Sequence, residues 1–187
     1  MKELYKENLW NKIHEEINSL KNDESMKGFF KKNVLDFDNL TDSITYIISN
    51  KLINDDMPES NINDNIREAF LDDGILIAIE EDINEVFKKD PACNYLFQPL
   101  LFYKGFHSIT AYRVANYWLN EKPSFSMYIQ SIVSEKFNVD IHPSAKIGKG
   151  IMADHASGVV IGETAKIGDY SSLFHGVTLG GVGSEKG

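Results

Sequence analysis

From Val139 onward, apolar side chains return at every sixth position: Ile141 and Ile147, then Ile161, Ile167, Leu173 and Leu179. Two positions before each stands a residue that is mostly small or β-branched: Val139, Ala145, Val159, Ala165, Ser171 or Val177. Glycine follows Ile161, Ile167 and Leu179. A period of six matches neither the 3.6-residue turn of a helix nor the two-residue alternation of a half-buried strand. It matches a parallel β-helix in which each hexad supplies one short strand and one turn and points its apolar residue into a triangular core. The other reading is a set of ordinary short strands that share a spacing by coincidence.

The period is broken once. Ile147 and Ile161 are fourteen residues apart, where two hexads span twelve. The two extra residues fall in or beside Met152-Ala153-Asp154-His155-Ala156-Ser157-Gly158. Bulges in β structure re-aim side chains and cluster beside active sites, and solenoids carry their binding faces on such excursions. Spacing alone therefore singles out Asp154 and His155.

Upstream of residue 138 the pattern is helical. Leu4, Leu9, Trp10, Ile13, Ile17 and Leu20 share one face of a first helix, and Asn22-Asp23-Glu24-Ser25 punctuates it. A short helix carries Phe29, Phe30 and Val34. Asn39 or Thr41 can cap the next one, whose stripe is Ile44, Ile47, Ile48 and Leu52. The segment 54–60, with Asp55, Asp56 and Pro58, is a polar break. Ile62, Ile66, Ala69 and Phe70 mark a helix that Gly74 is expected to end or bend. Ile75, Ile79 and Ile83 continue a helical face to Pro91, and two helices are predicted over about 99–120 and 124–136. The expected fold is mixed: an all-helical domain over residues 1–137, then an incomplete β-helix over 138–187.

Composition limits the partners. The chain of 187 residues carries 28 acidic and 19 Lys or Arg side chains, for a net charge of -9. That balance lacks the basic excess needed to neutralise nucleic-acid phosphates or an anionic membrane. No apolar run approaches a membrane span, so neither nucleic acid nor membrane is an expected partner. Cys93 is the one cysteine. With no cleavable leader, it fits a reducing, cytoplasmic home and supplies no thiolate cluster for a metal.

His155 suits a general base provided a carboxylate fixes its tautomer. Asp154 is adjacent but points the other way in an extended segment, whereas Asp140 reaches His155 from the previous coil only obliquely. The plainer reading makes His155 a surface turn residue and Asp154 a turn cap. His142 precedes Pro143 in a turn, His175 could face a ligand or a neighbouring subunit, and His14 and His107 sit in helices. No metal site is expected, and Cys93 has no neighbouring base to activate it. Gly180-Gly181 lies in a glycine-rich stretch without the Lys-Ser or Lys-Thr ending of a phosphate-binding loop.

Asp90-Pro91-Ala92, Leu101 to Tyr112, Val139 to Pro143, Gly150 to Met152, Asp154 to Gly158 and Gly176 to Gly181 together resemble the bacterial-type serine O-acetyltransferases of the left-handed β-helix acyltransferase superfamily. The resemblance implies a left-handed β-helix and transfer of acetyl from acetyl-CoA to the L-serine hydroxyl, the first committed step of cysteine synthesis. It implies that His155 is the catalytic base and Asp140 its partner, and that Asp90 and Asp154 hold the serine. Gly180 and Gly181 are the nearest matches to contacts for CoA, and acetyl-CoA is a co-substrate, with no permanently bound cofactor. It further implies trimers joined through the β-helix, paired into hexamers by the helical domains, with active sites between subunits.

Relatives continue past the glycine-rich stretch into a basic Arg-His pair for the substrate carboxylate, further coils and a tail. That tail serves cysteine feedback and docking to O-acetylserine sulfhydrylase, so this partner is expected only if such a tail exists. A chain ending at Gly187 is expected to have impaired or absent activity. Two alternatives stay open: an acetyltransferase with another acceptor such as homoserine, and a non-catalytic assembly or regulatory remnant.

Overall fold

The computed structural model describes residues 2–20, 24–55 and 57–181, with side chains from Leu9 onward. The Leu4 side chain, Asn22-Asp23, Asp56 and the segment 182–187 lie outside the described residues. Among the described residues eight α-helices run up to Phe137: α1 (Lys2–Ser19), α2 (Lys27–Phe30), α3 (Leu40–Leu52), α4 (Glu59–Ala69), α5 (Asp73–Lys89), α6 (Phe97–Phe102), α7 (Lys104–Trp118) and α8 (Pro123–Phe137). A π-helical turn, Lys31–Leu35, prolongs α2.

The ends follow local chemistry. Asn39 caps α3 by accepting from the Asp42 backbone N–H at 2.9 Å. Gly74 neither ends nor bends α4. It lies in the first turn of α5, where Asp72 accepts from the Gly74 and Ile75 N–H groups at 2.8 and 3.1 Å. The single helix expected over 99–120 is divided at Tyr103, an extended residue (φ -91, ψ 108) between α6 and α7. Asn138 closes α8 in the left-handed conformation (φ 56), which asparagine tolerates better than most residues, and turns the chain into the first strand.

Seven strands follow among the described residues: β1 (Val139–Ile141), β2 (Lys146–Ile147), β3 (Met152–Ala153), β4 (Val159–Ile161), β5 (Lys166–Ile167), β6 (Ser172–Leu173) and β7 (Thr178–Leu179). They stack in parallel on three faces, β1-β4-β7, β2-β5 and β3-β6, forming the coils of a left-handed β-helix. Val139 pairs with Val159, Lys146 with Lys166 and Met152 with Ser172, an offset of twenty on every face. Val160 pairs with Thr178, an offset of eighteen. The first coil therefore holds the two extra residues, and they lie between β3 and β4, at Asp154–Gly158.

One apolar core runs through both parts, from Ile13, Ile44 and Phe106 to Ile141, Ile161 and Leu173. Where they meet, Asp82 of α5 is fully buried and takes both the Nε and a terminal nitrogen of Arg113 of α7, at 3.1 and 2.7 Å. The other Asp82 oxygen accepts from the Ile151 N–H at 2.7 Å, while Arg113 donates to the Gly148 carbonyl at 2.9 Å. Burial pushes the Asp82 carboxyl up to about 6, against the opposing pull of Arg113 and the Ile151 N–H. This network ties two helices to the first coil.

Candidate active site

The corner between β3 and β4 departs from the hexad geometry through its backbone. His155 and Ala156 take left-handed φ angles of 54° and 55°, and Gly158 one of 72°. Two consecutive non-glycine residues in that region carry a conformational cost that the surroundings must offset. Ala156 faces the core with no exposed surface, while His155 projects outward with its side chain 75% exposed. The Gly158 N–H donates to the Asn138 carbonyl at 2.7 Å, and Asp154 N–H to the Leu173 carbonyl at 2.8 Å. The bulge is thus held from both sides while His155 projects outward and Asp154 lies partly exposed beside it.

Helices complete the opposite wall. Asp90 follows the last turn of α5, and its carboxylate accepts from the Ala92 N–H at 2.8 Å, which folds the chain over Pro91. Lys89 fixes that end of α5 to the second coil, donating to the Tyr170 carbonyl at 2.6 Å and pairing with Glu85 at 2.9 Å. The start of α7 lies against β3 so closely that a Cβ on Gly105 would stand 1.9 Å from the Ala153 carbonyl oxygen. Only glycine fits there.

Between these walls is a cleft of about 400 Å³. Asp90, Asp154 and His155 line it together, with Tyr103 and Lys104 beside them. His155 Nε2 stands 3.7 Å from an Asp154 oxygen, an ion-pair distance once the ring is protonated. Burial, together with the neighbouring Cys93 and Asp90, raises the pKa of the Tyr103 hydroxyl, so it remains a phenol. Burial also raises the Cys93 thiol. Such a site offers a base, two carboxylates able to grip a cation, and an open side for a second reactant.

Not every expected residue enters the cleft. Asp140 sits on the outer side of β1, accepting from Gln130 Nε2 of α8 at 2.7 Å. Gly180 and Gly181 follow β7 and lie outside the cleft lining. His175 stands near His155, ring centres 6.3 Å apart and edge to face. His142 accepts from the Ser144 N–H at 3.1 Å, a turn role, and His107 is buried against the Leu100 carbonyl at 2.8 Å. Tyr103 and Lys104 were not among the expected site residues. They fall in the segment 101–112 that carries the family likeness, and the break between α6 and α7, invisible in the apolar pattern, turns them toward the cleft.

Comparison with known proteins gives a consistent picture. Residues 9–111 match the family described as the N-terminal part of serine acetyltransferase. The serine acetyltransferase of Buchnera aphidicola from Acyrthosiphon pisum is 44% identical over 178 residues, covering 94% of this chain and 65% of the relative. That of Haemophilus influenzae is 42% identical over 182 residues, covering 96% and 68%. A solved serine acetyltransferase in complex with CoA superposes with a TM-score of 0.91 at 40% identity, over 95% of this chain and 77% of that one. Another, in complex with cysteine, gives 0.92 at 41% identity, over 96% and 76%. The chain spans about two thirds of the length of the curated relatives it matches.

Proposed function

The chain belongs to the serine acetyltransferase family, and from that membership we propose that it transfers acetyl from acetyl-CoA to the hydroxyl of L-serine. The observation that carries this reading is the convergence of Asp90, Asp154 and His155 on one cleft from opposite sides of the helix–coil junction. Two carboxylates suit the ammonium group of an amino acid. The imidazole between them and solvent suits its hydroxyl.

In the proposed reaction His155 takes the proton from serine Oγ as that oxygen attacks the thioester carbonyl. The carbon–sulfur bond then breaks, and the imidazolium returns the proton to the departing CoA thiolate. No enzyme-bound acyl group is needed, in keeping with a Cys93 thiol that burial keeps protonated. The carboxylate that stabilises the imidazolium is proposed to be Asp140, as the family likeness implies. Asp154 is the one that this chain's geometry brings within 3.7 Å of the ring.

Acetyl-CoA is proposed to approach along the coils, with Gly180 and Gly181 as contacts. The exposed face of His155 fits a site completed by a neighbouring subunit, with trimers formed through the β-helix and paired through the helices. Among the described residues no helix is long and apolar enough to cross a membrane, and a cytoplasmic location is part of the proposal. The test is release of CoA thiol from acetyl-CoA by purified protein, with L-serine and homoserine as acceptors. Serine-dependent release supports the reading. Release with homoserine alone, or none with either, overturns it.

A further inference from the structure

The left-handed bulge that carries Asp154 and His155 needs something to hold it, and the fold supplies one charged group for that purpose. Lys104, the first residue of α7, lines the cleft. Its ammonium donates to the Phe137 carbonyl at 3.2 Å and to the Ser157 hydroxyl. The first partner is the last residue of α8, where free carbonyls concentrate negative charge and a cation is favoured. The second lies within the bulge, two residues after His155. The next carbonyl, that of Asn138, takes the Gly158 N–H at 2.7 Å. Adjacent to Lys104, Gly105 abuts the Ala153 carbonyl oxygen, one residue before the bulge begins. The five-residue excursion is therefore gripped at its entry by α7, near its exit by the end of α8, and across both by one ammonium.

We infer that Lys104 is a positioning residue for the proposed acetyl transfer: by bridging Phe137 and Ser157 it fixes the bulge so that His155 and Asp154 face Asp90 across the cleft. This rests on the catalytic reading above. Lys104 acts through Ser157 and the backbone, with no bond of its own to either carboxylate of the cleft among the described residues. Loss of the bridge releases a segment whose backbone conformation is intrinsically unfavourable. A reacting group displaced by about 1 Å can lose on the order of 100-fold in rate.

The experiment compares Lys104→Met, Lys104→Arg and Ser157→Ala with the unaltered chain. Expected for Lys104→Met is a fall in kcat of about 10- to 100-fold with the KM for acetyl-CoA within about twofold. Lys104→Arg, which can still reach both acceptors, is expected to recover much of the loss, and Ser157→Ala to lie between. A second readout needs no turnover. Amide exchange at Gly158 is expected to accelerate and the His155 imidazole resonances to shift in Lys104→Met, while those of buried His107 stay in place. An unaltered chain without serine-dependent thiol release overturns the catalytic reading, and the resonance and exchange data then decide the bridge alone. Unchanged Gly158 exchange and His155 resonances overturn the inference, as does equal loss in Lys104→Met and Lys104→Arg.

Discussion

The helices and the coils bury their apolar surface by different rules. The helical part fills its interior with large side chains such as Trp118, Phe70 and Phe106, brought together from distant elements. The coils use strands of two or three residues and side chains no larger than Leu or Met, each stacked on its counterpart one coil away. A defect in the helices can therefore spread through many contacts, whereas an irregularity in a coil stays at its own corner. That difference fits a division in which His155, the proposed base, sits on the coils and the braces around it come from the helices.

Removing the proposed base tests the coil side of this division. His155→Ala is expected to lower kcat by about 10²- to 10⁴-fold, read from thiol release, with the melting temperature nearly unchanged. Normal turnover would remove His155 from the mechanism. On the helical side the large effect is on folding. Arg113→Leu leaves Asp82 buried without its partner and is expected to cost about 3–5 kcal/mol in denaturant unfolding. If the cost is under about 1 kcal/mol, the ionic network does not join the two parts.

Intermediate effects sharpen the roles of the carboxylates. Whichever aspartate stabilises the imidazolium is expected to lose about 100-fold or more in kcat as the asparagine variant, while the other changes chiefly the KM for serine. Measuring Asp140→Asn and Asp154→Asn side by side distinguishes the coil's outer strand from its bulge. At the junction, Gly105→Ala forces a methyl against the Ala153 oxygen and is expected to destabilise by about 1–3 kcal/mol. Full stability would show that α7 can withdraw from β3 freely.

The effect that builds most gradually is one of pH. Burial lowers His107 to about 3, and its Nε2–H donates to the Leu100 carbonyl in the neutral ring. The unfolded ring takes up a proton near its ordinary 6.5, so the folded state binds fewer protons over that interval. The His107 contribution is complete above pH 6.5 and falls as pH drops toward 3, by about 1.4 kcal/mol per unit, while Asp82, raised to about 6, binds an extra proton in the folded state and opposes it between 6 and 3.8. His107→Gln is expected to flatten that slope. An unchanged slope would assign acid sensitivity to other groups.

The coil register was legible residue by residue because a strict period shows every departure from it. The bulge was visible as two residues out of phase before any contact was known. The helices announced their faces but hid their ends. Apolar residues continue across the α6–α7 break, so nothing in the pattern marks Tyr103. Asp72, rather than Gly74, carried the boundary signal before α5. The meeting of Asp90 with His155, 65 positions apart, was not readable from spacing at all. It depends on Lys89 reaching the second coil and on Gly105 admitting β3, both contacts between elements that share no period.

The corner between β3 and β4 also says something about how such a chain can change. Its two additional residues are absorbed in left-handed backbone, and every pair across the first coil shifts by the same twenty positions. No strand loses phase, and β7 stacks on β4 at eighteen as though nothing had been inserted. Residues can thus be added or exchanged at this corner without re-registering the coils on either side. On the proposed acetyl-transfer reading, a different acceptor specificity has its simplest evolutionary entry there, at a corner whose two extra residues leave the strand register intact.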